Sequence, residues 1–310
     1  MREGADRVFY PAVELVRIWG AMAVVWIHYG TGKMLGMGYA VPCFVVISFF
    51  FAWKMIESAK ADALRRRLLR LAIPFFAWGA VSYFAALAIG SRSGLASLVW
   101  QLALGHDTCK PLYYLLDVAI ITSFLFALRR LLPPRGFWIV VALLSLFDVC
   151  VQYTGFNYRV FSKLPMQASY TLGRLVELFP IAVAGCGLAA VAIHGRLSFF
   201  VGMGLFACGA VATKCGPLWV DMQFGYAGVA HILLSAGILA MATSWTTDNE
   251  WLKSIRGISV TSAGVYYIHP IVGGVLAHFG CKGYPVVFCT TAALVFAGLR
   301  VPVLRRLLGK

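Results

Sequence analysis

Ten apolar stretches follow one another along the chain, most of them the length of a bilayer-crossing helix, with only short polar connections between them. They cover residues 10–30, 39–56, 71–90, 112–128, 137–153, 175–193, 197–213, 224–244, 258–277 and 285–299. Hydrocarbon offers no water to backbone N–H and C=O groups, so a stretch of this kind has to satisfy them internally, which a helix does. The runs are continuous rather than alternating over about ten residues, which argues against a β-barrel. At 310 residues, 61% hydrophobic content and a mean hydropathy of +0.81, little remains for a soluble domain. The expectation is an all-α fold: a polytopic integral membrane bundle of about ten transmembrane helices in a single domain over residues 1–310.

The formal charge of +15 does not point to nucleic acid, because the basic residues fall in short groups between the apolar stretches. Examples are Lys60 with Arg65, Arg66, Arg67 and Arg70, then Arg129, Arg130 and Arg135, and finally Arg300, Arg305 and Arg306. With both termini cytoplasmic, the inner connections carry roughly twice the Lys and Arg of the outer ones, the bias expected of cytoplasmic loops. The first stretch reads as a retained span rather than a cleavable signal peptide, since no small-residue cleavage site follows it. None of the eight cysteines forms a CxxC, so no metal site is expected. Cys109, Cys215 and Cys281 fall in outer connections, where a disulfide is permitted.

Two ionisable residues stand inside the first stretch, Arg17 and His28. Such groups are costly at membrane depth and are functional candidates for that reason. Eleven positions make about three turns, so both side chains share one helix face, roughly 16 Å apart along the axis. Glu14, three residues before Arg17, is placed to pair with it, either as a simple neutralising partner or as part of a site. The planar guanidinium of Arg17 suits phosphate oxygens. His28 suits proton transfer near neutral pH, or a helix-packing hydrogen bond.

Arg67 and Arg70, three apart and just ahead of Leu71-Ala72-Ile73-Pro74, share a face at the mouth of the third stretch, where they can hold phosphates of a ligand from the cytoplasm. Arg65 and Arg66 read as ordinary loop charges. In Tyr266-Tyr267-Ile268-His269-Pro270, the proline frees a carbonyl one turn earlier. His269 is therefore either that carbonyl's partner or a site residue. Asp117 near a span end reads as a solvated or paired carboxylate, and Arg174 with Glu177 as a local ion pair.

Together these features resemble the acyltransferase-3 family of multi-span membrane O-acyltransferases. The resemblance is carried by Glu14, Arg17 and His28 in the first helix, and by the run Val41-Pro42-Cys43-Phe44-Val45-Val46-Ile47-Ser48 in the second. Arg67 to Arg70 leading to Pro74, and the late Tyr266 to His269 with Tyr267 as the alternative register, complete it. The chain departs from the family pattern in having Glu14 for the usual Asp, Phe49 for Gly after Ser48, and no tryptophan in Leu112-Tyr113-Tyr114-Leu115.

The resemblance implies an acyl-CoA-dependent O-acyltransferase of the bacterial inner membrane, with acetyl-CoA as donor substrate and no metal. Arg67, Arg70 and Arg17 would hold the donor's phosphates, and His28, with Glu14 and Arg17, would form the catalytic group. Ser48, Tyr266, Tyr267 and His269 are candidate substrate contacts. The acceptor would be a hydroxyl of a glycan or lipid-linked sugar, and the other partner membrane lipid, with no role for nucleic acid. Two other readings of the same residues stand beside it: a transporter of an anionic lipid or glycan using Arg17 and His28 as substrate and proton sites, and an assembly subunit of a glycan-export system.

Overall fold

Pro11 opens the first helix at a position where its missing N–H is not needed and its fixed φ favours entry. This helix, α1 (Pro11–Tyr29), carries Glu14 in its first turn, where a negative charge suits the helix dipole. It ends where Gly30 turns extended and bonds back to the Trp26 carbonyl at 2.7 Å. The computed structural model describes residues 9–31, 39–88, 90, 112–153, 163–164, 166–194, 198–214, 228–247, 249–281 and 283–308. The further helices are α2 (Ala40–Ser58), α3 (Ala61–Ala88), α4 (Tyr113–Leu131), α5 (Pro134–Tyr153), α6 (Met166–His194), α7 (Phe199–Ala212), α8 (Val229–Ser244), α9 (Glu250–His278), α10 (Tyr284–Gly298) and a short α11 (Pro302–Leu307). No strand occurs among the described residues. Cys109 and Cys215 lie outside them, while Cys281 is an exposed free thiol.

Among the described residues, each of the ten apolar stretches falls on a helix. Six helices among the described residues are long and apolar enough to cross a membrane: α1, α2, α3, α5, and the segments Ala168–Ala192 of α6 and Ile255–His278 of α9. Helices α7, α8 and α10 are shorter apolar helices. The basic run before Leu71 is itself helical, because α3 begins at Ala61. Ala, Leu and Arg are strong helix formers, and this segment consists largely of them. Ala59, at φ 48°, turns the chain sharply out of α2, and the Lys60 carbonyl then takes the Ala63 and Leu64 N–H groups.

Helix α2 is the most enclosed of these six and packs against α1, α3, α4, α6 and α8. Its contact with α6 is backbone to backbone: a Cβ on Gly185 would come within 2.5 Å of the Val46 carbonyl. Helices α1 and α9 pack along one another, and α7 packs on α8. The outward surfaces carry Phe76, Phe84, Leu143, Phe147 and Phe200, all exposed, as suits a lipid-facing surface.

Two interior prolines leave carbonyls to be met by side chains. Pro180 deprives the Val176 carbonyl of its helical partner, and the Gln152 amide from α5 donates to it at 3.1 Å. The Gln152 carbonyl oxygen in turn accepts the Gly228 N–H at 3.2 Å, so one buried amide ties α5, α6 and the start of α8. Pro270 does the same to the Tyr266 carbonyl, which is met by His269.

A buried ion pair joins α4 to α6. Arg174 grips Asp117 with two hydrogen bonds, Nε to Oδ2 at 2.9 Å and Nη2 to Oδ1 at 3.3 Å, and its guanidinium lies 4.5 Å over the Tyr113 ring. Asp117 is thus a paired carboxylate, and the pairing runs between helices. Removing one member of a buried pair costs about 3–5 kcal/mol, whereas an apolar replacement of both is often tolerated. Asp117→Ala is therefore expected to lower the thermal midpoint of the detergent-solubilised protein sharply, and Asp117→Leu with Arg174→Met to recover most of the loss.

Candidate active site

Helices α1 and α9 meet at two places. Near one end the Glu14 carboxylate accepts from Arg17 Nη1 at 3.1 Å and, through the same oxygen, from the Ser259 hydroxyl of α9. Near the other end the Tyr29 hydroxyl donates to the Pro270 carbonyl at 3.5 Å. The two helices therefore run in the same direction. Gly273 permits the second contact, since a Cβ there would fall 2.1 Å from the Tyr29 ring.

The upper part of this contact brings two imidazoles together. The rings of His28 and His269 lie 5.3 Å apart, centre to centre, at an interplanar angle of 33°. Tyr29 stands edge-on to His269 at 6.3 Å and Tyr266 at 6.2 Å. His28 is exposed, whereas His269 is wholly buried. His269 Nδ1 lies 3.1 Å from the Val265 carbonyl and 3.0 Å from the Tyr266 carbonyl, while Nε2 has no hydrogen-bond partner among the described residues.

A second cluster forms where α2, α3 and α4 converge. Arg67 donates Nη2 to the Ser48 hydroxyl at 2.8 Å and to the Ser48 carbonyl at 3.2 Å, and Nε to the Thr122 hydroxyl at 3.4 Å. Its guanidinium also lies 5.9 Å over the Phe49 ring. Arg67 thus pins three helices together. Beside it is a cleft of about 270 Å³, lined by Arg66, Arg67 and Arg70 of α3 and by Phe51 and Met55 of α2. Three guanidinium-bearing residues around one cleft make a site that suits a polyanion.

Tyr114 of α4 links the two clusters. Its hydroxyl donates to the Phe44 carbonyl at 3.0 Å and also contacts the Ser48 hydroxyl. Arg67 and Arg17 both lie within electrostatic reach of it. Its ring meets Tyr266 edge-on at 5.7 Å, and Phe44 closes the trio at 5.8 Å from Tyr266. A continuous line of side chains therefore runs from Arg67 through Ser48, Tyr114 and Tyr266 to His269 and His28. Arg17 lies alongside, within electrostatic reach of the buried Tyr267.

The family model described as an acyltransferase domain (Acyl_transf_3) matches residues 10–302. The chain belongs to the acyltransferase-3 family. It is an integral membrane protein and a membrane acyltransferase. No curated protein and no solved structure matches it. The match takes in both clusters, so every residue singled out above lies inside the family domain.

All the sequence-derived candidates fall on this line or beside it. Arg17 is paired with Glu14, as the spacing of three suggested, and Arg67 and Arg70 share one cleft. His269 is the partner of the carbonyl freed by Pro270, and it also adjoins His28. Sequence reasoning passed over Arg66, Tyr114, Thr122 and Ser259. The charge on Arg66 looked like loop topology, and the three hydroxyls sit in apolar helices where nothing in the pattern sets them apart. Among the described residues no three His, Cys, Asp or Glu side chains group as metal ligands would.

The Tyr29 contact is open to a packing test. Gly273→Val should push the Tyr29 ring off α9 and destabilise the protein by about 1–3 kcal/mol, the usual range for overpacking. Adding Tyr29→Ala should recover most of that, and thermal unfolding of the single and double variants measures the coupling.

Proposed function

We propose that this acyltransferase moves an acetyl group from acetyl-CoA to a hydroxyl of an envelope glycan or a lipid-linked sugar, at the inner membrane of a bacterium. The observation that carries this reading is the unbroken line of side chains from the arginine cleft to the His28–His269 pair. A donor with a polyanionic head and a long arm ending in a reactive carbonyl fits such a line. In this reading the chain is one domain of ten transmembrane helices with both termini in the cytoplasm, the bias of Lys and Arg supporting that orientation. The arginine cleft then opens inward.

Arg67 and Arg70, joined by Arg66 and by Arg17, hold the phosphates of the donor, and Glu14 keeps Arg17 in position. Ser48, Tyr266 and Tyr267 line the way of the pantetheine arm toward His28. His28 is the general base. It takes the proton from the acceptor hydroxyl as the oxygen attacks the thioester carbonyl. The C–O bond forms and the C–S bond breaks, and the coenzyme A thiolate leaves with the proton returned from the His28 imidazolium. The product is an O-acetyl ester.

The test is incubation of membranes holding the wild-type protein or His28→Ala with radiolabelled acetyl-CoA and envelope glycan. General-base catalysis contributes about 10²–10⁴-fold, so His28→Ala should lose at least 99% of the transfer while inserting normally. Equal labelling by both would remove His28 from the chemistry, and substrate moved unmodified would favour a transporter.

The donor site gives a second expectation. Hydrogen bonds to charged groups contribute about 1.5–3 kcal/mol, so Arg66→Ala and Arg70→Ala should each raise KM for acetyl-CoA about tenfold or more. The same variants should leave KM unchanged for S-acetylpantetheine, which lacks the phosphates. Steady-state kinetics with the two donors measures the difference.

A further inference from the structure

His269 answers a structural need with one ring nitrogen and leaves the other over. Pro270 has no N–H, so the Tyr266 carbonyl would be unmet without a side-chain donor. His269 Nδ1 lies within hydrogen-bond distance of that carbonyl and of the Val265 carbonyl, at 3.0 and 3.1 Å. Carbonyl oxygens only accept, so Nδ1 carries the proton, and in the neutral ring Nε2 holds the lone pair. That acceptor is buried, has no hydrogen-bond partner among the described residues, and belongs to the ring beside His28. A buried polar atom left without a partner is costly unless something comes to meet it.

The separation of the rings indicates what does. Two imidazoles joined by an N–H···N hydrogen bond of about 3 Å have centres about 5 Å apart, and His28 and His269 are at 5.3 Å with their planes tilted by 33°. A side-chain adjustment of the exposed His28 closes that contact. We propose that His269 is the positioning residue for His28: its tautomer, locked by the carbonyls of Val265 and Tyr266, presents Nε2 to accept the His28 N–H. The remaining nitrogen of His28 then bears its lone pair toward the reacting hydroxyl. This is the nucleophile, base and orienting-group arrangement of acyl-transfer enzymes, built with a neutral imidazole as the orienting group. The pairing also stabilises the imidazolium that forms on His28 during transfer. The proposal rests on His28 being the base.

Two substitutions separate the two nitrogens of His269. Asparagine places an amide nitrogen where Nδ1 sits, keeping the carbonyl cap but offering nothing at Nε2. Glutamine places an amide oxygen near the position of Nε2 and leaves the Tyr266 carbonyl unmet. The expectation is two opposite rankings. Thermal stability should run His269→Asn above His269→Gln, while kcat for acetyl transfer should run His269→Gln above His269→Asn, with KM for acetyl-CoA little changed in either. Activity that follows stability, with Asn the better of the two, would show a purely structural histidine and overturn the proposal.

A second readout needs no transfer. The rate at which diethyl pyrocarbonate modifies His28, followed by mass spectrometry of its peptide, reports the nucleophilicity of the free His28 nitrogen. It should fall severalfold in His269→Asn and be retained in His269→Gln; equal rates in all three proteins would overturn the pairing. If the wild type transfers no label, the acyltransferase chemistry assigned to His28 fails, while the modification rates still decide whether the two rings are coupled.

Discussion

Backbone carbonyls that lose their helical partner inside an apolar bundle have to be met by side chains, and much of this molecule is arranged around that demand. Two of its long helices carry an interior proline whose orphaned carbonyl is met by a buried residue: Gln152 for Pro180, and His269 for Pro270. Gln152 uses its other end to take the Gly228 N–H, so the α6 helix is tied to α5 and to the entry of α8. His269 meets its carbonyl from a ring whose centre stands 5.3 Å from that of His28. In each case the side chain that answers a local backbone defect stands at a contact between helices.

The candidate site has the same economy. Glu14 holds Arg17 on its own helix and Ser259 on α9 through one oxygen, and Arg67 ties Ser48 and Thr122 across α2, α3 and α4. Polar groups that would be expensive alone in an apolar interior are thereby satisfied against each other, and the helices that bear them are fixed in relative position. Tyr114 and the aromatic contact it makes with Tyr266 join the two assemblies. Charge is concentrated at one end of the line and imidazole at the other, with aromatic rings between.

The helices themselves were legible because continuous apolar runs of bilayer length have few other ways to fold, and the alignment of Arg17 with His28 followed from helical periodicity alone. The start of α3 was not, since a cluster of arginines reads as a loop when judged by charge and as a helix when judged by propensity; the backbone follows propensity. The setting of His269 was half visible: Pro270 announced the carbonyl, but nothing along the chain says that the ring would stand beside a histidine of the first helix. Tyr114, Thr122 and Ser259 were invisible for a related reason. A hydroxyl in an apolar helix acquires meaning only from the neighbour it meets, and those neighbours are set by packing between distant segments.

The anchoring of Arg67 has an energetic consequence for whatever anion approaches the cleft. A free arginine side chain carries about 2 kcal/mol of rotamer entropy, which an ordinary surface residue surrenders at the moment it grips a ligand. Here Ser48 and Thr122 have already immobilised the guanidinium through Nε and Nη2, while Nη1 makes no hydrogen bond to the described protein. Its freedom is lost when the chain folds, not when a ligand binds. An anion meeting Nη1 encounters a donor already held in place, so more of the interaction remains as affinity, and geometry at this end of the line is set by the fold and not by the ligand.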